Sequence, residues 1–118
     1  RLADGYDARL APLVERGLEL PRVPKGAVPS WQSYVVRVPL DVDRDTLMAE
    51  LYSDGIECSV GAHALHIQPA YRHLDAFHRP MPGADDARRR ALCLPVATGI
   101  TESEMDRVVE CLTSRLRV

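Results

Sequence analysis

Nine prolines interrupt this sequence and limit where helices and strands can form. A proline lacks a backbone donor and obstructs the preceding helical turn, so helix interiors and central strands largely exclude it. Three of the nine, Pro21, Pro24 and Pro29, fall within residues 18–30. We therefore predict that 18–30 is an extended connector between two parts of the fold.

Amphipathic helices are predicted at both ends of the chain. Apolar residues recur every three to four positions in 1–16, where Pro12 should kink or end the helix and Gly17 is a suitable stop. Near the other end, Thr101-Glu-Ser-Glu104 has the spacing of a capping box, in which side chains satisfy the free amides of the first helical turn. The helix that follows has one apolar face and should end near Arg115.

The middle of the chain alternates between strand and helix patterns. Residues 31–39 are aromatic and β-branched, which predicts a strand buried on much of both faces, and 44–53 should form a helix capped by Asp41 or Asp43. Further strands are predicted at 56–60 and 92–96, with a short helix at 84–91 between them. The first strand, helix and second strand make a βαβ-like or split βαβ unit. The fold class is therefore α+β, a small sheet flanked by N- and C-terminal helices.

Size and charge exclude several classes of protein. With 118 residues and a net charge of −2, the chain fits one globular domain and lacks the basic balance that general nucleic-acid binding requires. It contains no apolar run of the ~18 residues that span a membrane, and no signal-peptide pattern. Its three cysteines have no CxxC spacing, which favours free thiols in a reducing cytoplasm. The chain begins at Arg1 rather than Met, so we expect a piece of a longer protein.

All four histidines lie in 61–83, a segment without clear periodicity, and such loops commonly carry binding sites. The pair His63 and His66 has a spacing that suits metal ligands in a loop, but no carboxylate or cysteine stands at a companion spacing. We therefore predict no metal site, and favour polar or ligand-contacting roles for these histidines.

Other reactive residues have ordinary structural interpretations. The cysteines Cys58, Cys93 and Cys111 lie in or beside apolar stretches and are expected to be small buried hydrophobes rather than nucleophiles. The run 88–90 of three arginines could bind phosphate, but consecutive helical residues point in different directions, which favours a solvated face. Lys25, the single lysine, lies in the connector and is rejected as a Schiff-base amine.

A family resemblance covers nearly the whole chain. The segments that carry it are, in order, Tyr6-Asp-Ala-Arg-Leu10, the proline-rich connector, Trp31-Gln-Ser-Tyr-Val-Val-Arg37, Arg44-Asp-Thr-Leu47, Gly55-Ile56, His66-Ile-Gln-Pro-Ala-Tyr71, Leu92-Cys-Leu-Pro95 and Thr101 to Val109. This ordered set resembles the C-terminal small domain of the DegT/DnrJ/StrS sugar aminotransferases, which have the aspartate-aminotransferase fold. The segment before His66 is shorter than in many members, which implies a different substrate loop.

The resemblance implies an activity that this chain cannot perform alone. Members use pyridoxal 5′-phosphate to transfer an amino group, from a donor such as glutamate, to a nucleotide-linked keto-sugar, and they are usually cytoplasmic homodimers. The cofactor lysine and most phosphate contacts belong to a large N-terminal domain that is absent from this sequence. Residues 1–118 would then be the C-terminal small domain, with helix and connector in 1–30 and an αβ unit in 31–118. We expect it to pack on the large domain of its own parent chain.

The same resemblance implies which residues face the substrate. The loop 61–71 would form one wall of the cleft, with His66 and Tyr71 as donors and acceptors toward the sugar nucleotide and His63 beside them. Trp31 and Gln32 are further candidates, for which core packing is the alternative. The apolar faces of the terminal helices would be partly interface and exposed in the isolated piece. An alternative function is a stand-alone, non-catalytic module that binds a nucleotide-sugar or docks on a partner.

Overall fold

A computed structural model describes residues 2–116 of the chain and shows four helices around a three-stranded sheet within that range. The elements are α1 (Leu2–Val14), β1 (Tyr34–Arg37), α2 (Arg44–Ser53), β2 (Ser59–Val60), α3 (Pro82–Arg90), β3 (Ala91–Leu94) and α4 (Glu102–Arg115). The predicted connector is extended and exposed for most of its length. Arg1, at the start of the predicted N-terminal helix, lies outside the described residues, as do residues 117 and 118.

The sheet has the order β1-β3-β2, and both outer strands run antiparallel to β3. Cys93 is the shared register point, because it pairs with Val35 on one side and with Ser59 on the other. Strands β1 and β2 are therefore parallel to each other, joined by α2 and separated by β3. This arrangement is the split form of the βαβ unit, and it confirms the α+β prediction.

Local capping signals are realised as the sequence predicts. Asp43 accepts a hydrogen bond from the Thr46 amide at 2.7 Å, which caps α2. Both halves of the capping box between Thr101 and Glu104 are present at the start of α4. Gly17 has a φ of +91°, a conformation that glycine adopts at little cost beyond a helix end. These caps fix where the helices begin or end, independently of the core.

The edges of several elements differ from their predicted positions. The strand expected over 31–39 is confined to Tyr34–Arg37, because Trp31 has a φ of +50°, which breaks the extended backbone before β1. The strand expected over 56–60 keeps only its last two residues as β2, and β3 begins one residue earlier than predicted and ends two earlier. Helix α3 begins at Pro82, a favourable first helical residue.

The core lies between the sheet and helices α1, α2 and α4. From α1 it contains Tyr6, Leu10 and Leu13, and α4 contributes Met105, Val108 and Leu112, which are all buried. Helices α1 and α4 pack against each other, so their apolar faces are enclosed within the chain itself. Most of the apolar surface that was expected to be exposed on these faces is therefore buried within the chain, whereas Val14 at the end of α1 is 48% exposed.

Gly61, directly after β2, offers a test of packing on the outer face of the sheet. A Cβ there would lie 2.6 Å from Val35 Cγ1 and 3.0 Å from Ala91 backbone carbon. We expect Gly61→Ala to lower the free energy of unfolding by about 1–3 kcal/mol, since the strand backbone cannot give way cheaply. Gly83→Ala is the matched control, because it meets nothing within 4 Å in α3 and should be neutral or stabilising by up to about 1 kcal/mol. Urea unfolding of both variants tests this, and equal stabilities would contradict it.

Candidate functional site

The loop between β2 and α3 contains three of the five predicted site residues. Two short 3₁₀ turns, Leu65–Ile67 and Pro69–Tyr71, give it a defined course. Each is closed by a backbone hydrogen bond of 3.0 Å, from the Gln68 amide to Leu65 and from the Tyr71 amide to Gln68. The loop is therefore a structured surface.

Side chains in the first half of this loop alternate between inward and outward positions. Ala64 is buried, and the Gln68 side chain donates back to its carbonyl at 3.3 Å. Leu65 and Ile67 are exposed, as is His63. The inward residues thus hold the segment against the domain while the outward ones face solvent.

His66 is one of the inward residues. Its side chain is only 9% exposed, and its Nε2 lies 3.0 Å from Oδ1 of Asp85 in the first half of α3. The other ring nitrogen, Nδ1, is buried and has no hydrogen-bond partner within residues 2–116. A buried polar atom without a partner is costly, so such atoms in folded proteins call for a specific explanation.

Exposed apolar side chains gather in the same loop. Leu65, Ile67, Tyr71 and Leu74 are each between 38% and 55% exposed. This loop thus carries more of the exposed apolar side chains than helices α1 and α4 do. Such a patch beside polar residues is typical of a surface that contacts a ligand or another protein.

Trp31 and Gln32 lie at a different place. They line a pocket of about 330 Å³ whose other walls come from the start of α1 and from the segment after β3. The Trp31 ring packs on Tyr34 with a centroid distance of 5.7 Å, and Tyr34 in turn packs on Tyr6 at 5.0 Å. Gln32 is exposed. The five predicted residues therefore fall into two groups, one in the loop and one at this pocket.

The positive φ of Trp31 makes this pocket locally strained. A left-handed conformation costs an aromatic residue roughly 1 kcal/mol or more, and such strain is often found at functional sites. The buried hydroxyls below it are paired, since Tyr34 donates to Asp7 at 2.5 Å and Tyr6 donates to the Pro95 carbonyl at 2.8 Å. Trp31 is partly packed on the core, in line with the alternative role given for it.

The arginine run is not a uniformly solvated face. Arg90 is 6% exposed and donates to the Val38 carbonyl and to Glu19, both at 2.7 Å. The same guanidinium lies 3.4 Å from Asp86, one turn earlier in α3. Only Arg88 and Arg89 are exposed as predicted. The i,i+4 spacing of Asp86 and Arg90 is the sequence signal that could have predicted this ion pair.

The cysteines are partly buried, and the structure records all three as free thiols. Burial, with a smaller effect of Cys93, raises the pKa of Cys58 to about 12 from an ordinary value of 9.0. Among residues 2–116 no three His, Cys, Asp or Glu side chains gather as metal ligands would. None of the helices in that range has the length and apolar character that crossing a bilayer requires.

The raised pKa of Cys58 makes stability sensitive to alkaline pH. Between about pH 9 and 12 the unfolded thiol is ionised while the folded one keeps its proton, so the unfolded state binds fewer protons. Burial raises the pKa of Tyr6 to about 12 as well, from 10.0. We expect the free energy of unfolding to fall as pH rises above 9, measured by urea titration at several pH values. Cys58→Ala should reduce the slope just above pH 9, and an unchanged slope would contradict the assignment.

The cofactor that the resemblance implies does not fit the residues of this chain. Pyridoxal phosphate enzymes hold the cofactor through a lysine whose amine is made reactive by its surroundings. Lys25 is exposed, in a turn closed by a hydrogen bond from the Ala27 amide to the Pro24 carbonyl. This single lysine therefore has no enclosed environment, and we derive no catalytic step from it.

Comparisons with known proteins agree with this architecture. GDP-perosamine synthase from Caulobacter vibrioides is 31% identical over an alignment of 120 positions, which covers 95% of this chain and 30% of that protein. The structure of DesV from S. venezuelae, solved in complex with a ketimine intermediate, superposes with a TM-score of 0.80 at 28% identity. NtdA from Bacillus subtilis, solved with bound cofactor PMP, also gives a TM-score of 0.80 at 28% identity.

The share of each relative that is matched is similar throughout. The superposition with DesV covers 99% of this chain but 31% of DesV, and the superposition with NtdA covers 98% of this chain but 27% of NtdA. The chain thus spans about 30% of the length of the curated relative. The family profile described as "DegT/DnrJ/EryC1/StrS aminotransferase family" matches residues 1–113. The chain therefore belongs to the DegT/DnrJ/EryC1/StrS aminotransferase family.

Proposed function

We propose that this chain is the C-terminal part of an aminotransferase that uses pyridoxal phosphate to transfer an amino group to a nucleotide-linked keto-sugar. The observation that carries this proposal is the 31% identity to a GDP-perosamine synthase over 95% of the chain. The bound cofactor of the similar NtdA structure supports pyridoxal phosphate chemistry in the parent protein. The amino donor in this proposal is an amino acid such as glutamate, and the parent is a cytoplasmic homodimer.

Within the parent, this chain would bind and orient the sugar nucleotide. The loop 63–71 has a fixed course and presents the exposed His63 imidazole and Tyr71 ring beside apolar side chains. An imidazole and a phenol supply hydrogen bonds to sugar hydroxyls or to a diphosphate, and the apolar side chains exclude water. The cofactor supplies the electron sink for amine transfer when it is bound to the parent. Trp31 and Gln32 are proposed as secondary contacts at their own pocket.

The parent protein's amine transfer tests this proposal. The full reading frame that contains this chain is expressed, supplied with pyridoxal phosphate, and incubated with glutamate and a GDP-linked keto-sugar. We expect a GDP-linked amino sugar, detected by mass spectrometry, and its formation should require glutamate. Absence of product with GDP-, UDP- and TDP-linked keto-sugars would overturn the proposed activity.

A non-catalytic binding or docking module is the second candidate. The observation that favours it is the self-contained core, in which α1 packs on α4 and the sheet without help from another domain. Such a module predicts a cooperatively folding monomer that binds a nucleotide-sugar by itself. Sedimentation equilibrium and titration with GDP-mannose test these two properties. An aggregated chain would exclude either form of the module, and a monomer that does not bind would exclude the nucleotide-sugar form.

A further inference from the structure

The contact between His66 and Asp85 links two segments that are 19 residues apart in sequence. An ionised carboxylate accepts hydrogen bonds and cannot donate them. The 3.0 Å approach of Asp85 Oδ1 to Nε2 therefore requires a proton on Nε2. The Asp85 carboxylate thus orients the histidine ring and places a proton on Nε2.

Because side chains alternate along the loop, the contact that fixes His66 also affects the residues beside it. Ala64, His66 and Gln68 point inward, and among them His66 makes the contact to α3. Holding His66 in place also holds its neighbours Leu65 and Ile67 on the outward side. A helix is a more rigid support than a loop, so a ligand-contacting segment gains precision from this attachment.

We infer that Asp85 is a positioning residue: through His66 it attaches the loop to α3 and fixes the outward presentation of His63 and its neighbours. This role toward the sugar nucleotide rests on the proposed function. Asp85 touches no substrate in this account. It acts on the ring of His66, and His66 acts on the course of the loop.

The proton on Nε2 also determines what the other ring nitrogen can do in the neutral ring. A neutral imidazole with its proton on Nε2 has no second N–H, so Nδ1 is an acceptor. In that tautomer Nδ1 can accept a hydrogen bond from a hydroxyl or a buried water. Its burial without a partner within residues 2–116 fits a site completed by such a donor.

The test compares Asp85→Ala, Asp85→Asn and Asp41→Ala in the 118-residue chain by NMR. Asp41 is an exposed carboxylate outside the loop, so its removal matches the change in charge. In the unchanged chain we expect an observable His66 ring N–H resonance, protected from solvent exchange by its acceptor. Asp85→Ala should abolish it and speed exchange of the Gln68 and Tyr71 amides by about fivefold, the equivalent of one net hydrogen bond. Asp85→Asn keeps an acceptor oxygen, so it should retain the His66 ring N–H resonance and the slow exchange of the two amides.

Kinetics of the parent protein supply a readout that a purely structural role would not change. Asp85→Ala should raise KM for the sugar nucleotide several-fold while KM for glutamate stays the same, and Asp41→Ala should change neither. An unaltered ring resonance in Asp85→Ala, or equal changes in both KM values, would overturn the inference. If the unaltered parent protein does not transfer an amine, the proposed function fails instead, and the NMR result still decides the contact between Asp85 and His66.

Discussion

Replacement of Arg90 by alanine is expected to lower the free energy of unfolding by about 3 kcal/mol. The guanidinium is buried at the end of α3 and joins three parts of the fold, through the Val38 carbonyl, Glu19 and Asp86. Truncation leaves the buried Val38 carbonyl without this donor, and loss of one partner in a buried polar group is strongly destabilising. Glu19 and Asp86 lose their nearest cation but keep the Arg37 guanidinium, at 3.4 Å and 3.6 Å. Because Glu19 is 48% exposed, the expected loss lies at the lower end of the roughly 3–5 kcal/mol that breaking a fully buried pair costs.

Arg88, two positions before Arg90, provides the matched control. Arg88 is exposed on the same helix, so Arg88→Ala should change stability by no more than about 0.5 kcal/mol. Arg90→Lys keeps the charge but cannot reproduce a guanidinium that serves three acceptors, and it should recover less than half of the loss. Urea unfolding monitored by circular dichroism measures all three variants. Similar stabilities of Arg90→Ala and Arg88→Ala would show that the arginine run is a solvated face after all.

Replacement of Leu10 by alanine is expected to cost about 3 kcal/mol of unfolding free energy. Leu10 is completely buried in α1, a helix that packs against α4, and large-to-small changes at such sites lose transfer free energy and leave a cavity. Val14 lies at the end of the same helix and is 48% exposed. Val14→Ala should therefore cost less than about 1 kcal/mol.

This pair of variants tests whether α1 belongs to the core of this chain. If α1 depended on a neighbouring domain for its packing, Leu10→Ala would cost no more than Val14→Ala in the 118-residue chain. Thermal unfolding followed by circular dichroism gives both values. The result also bears on the module alternative, because a self-contained core is what such a module requires.

The sequence predicted the elements whose causes are local. The capping box at Thr101 needs only residues within one turn of each other, and the Asp43 cap needs only the following turn. The α+β class and the split βαβ unit follow from the order of strand and helix patterns. The ends of the strands were less predictable. Trp31 is a good strand former by propensity, yet its φ is positive and its ring packs on Tyr34, so tertiary context overrides the local preference.

Contacts between distant residues account for what the sequence did not predict. Nothing in local spacing connects Glu19 with Arg90, which are 71 positions apart, or His66 with Asp85. The segment 18–30 was predicted as a connector, yet its Glu19 anchors the end of α3. The site residues His63, His66 and Tyr71 came from family resemblance, and their contacts to substrate stay a prediction.

Separate measurement of KM for the sugar nucleotide and of KM for glutamate tests most directly whether loop 63–71 contacts the sugar nucleotide. In the parent protein, His63→Ala and Tyr71→Phe are compared with His73→Ala, an exposed histidine farther along the same segment. We predict that each loop variant raises KM for the sugar nucleotide by about fivefold, the equivalent of one net hydrogen bond, with KM for glutamate unchanged. His73→Ala should behave like the unchanged protein. If both loop variants leave KM for the sugar nucleotide unaltered, the loop is not part of the substrate cleft.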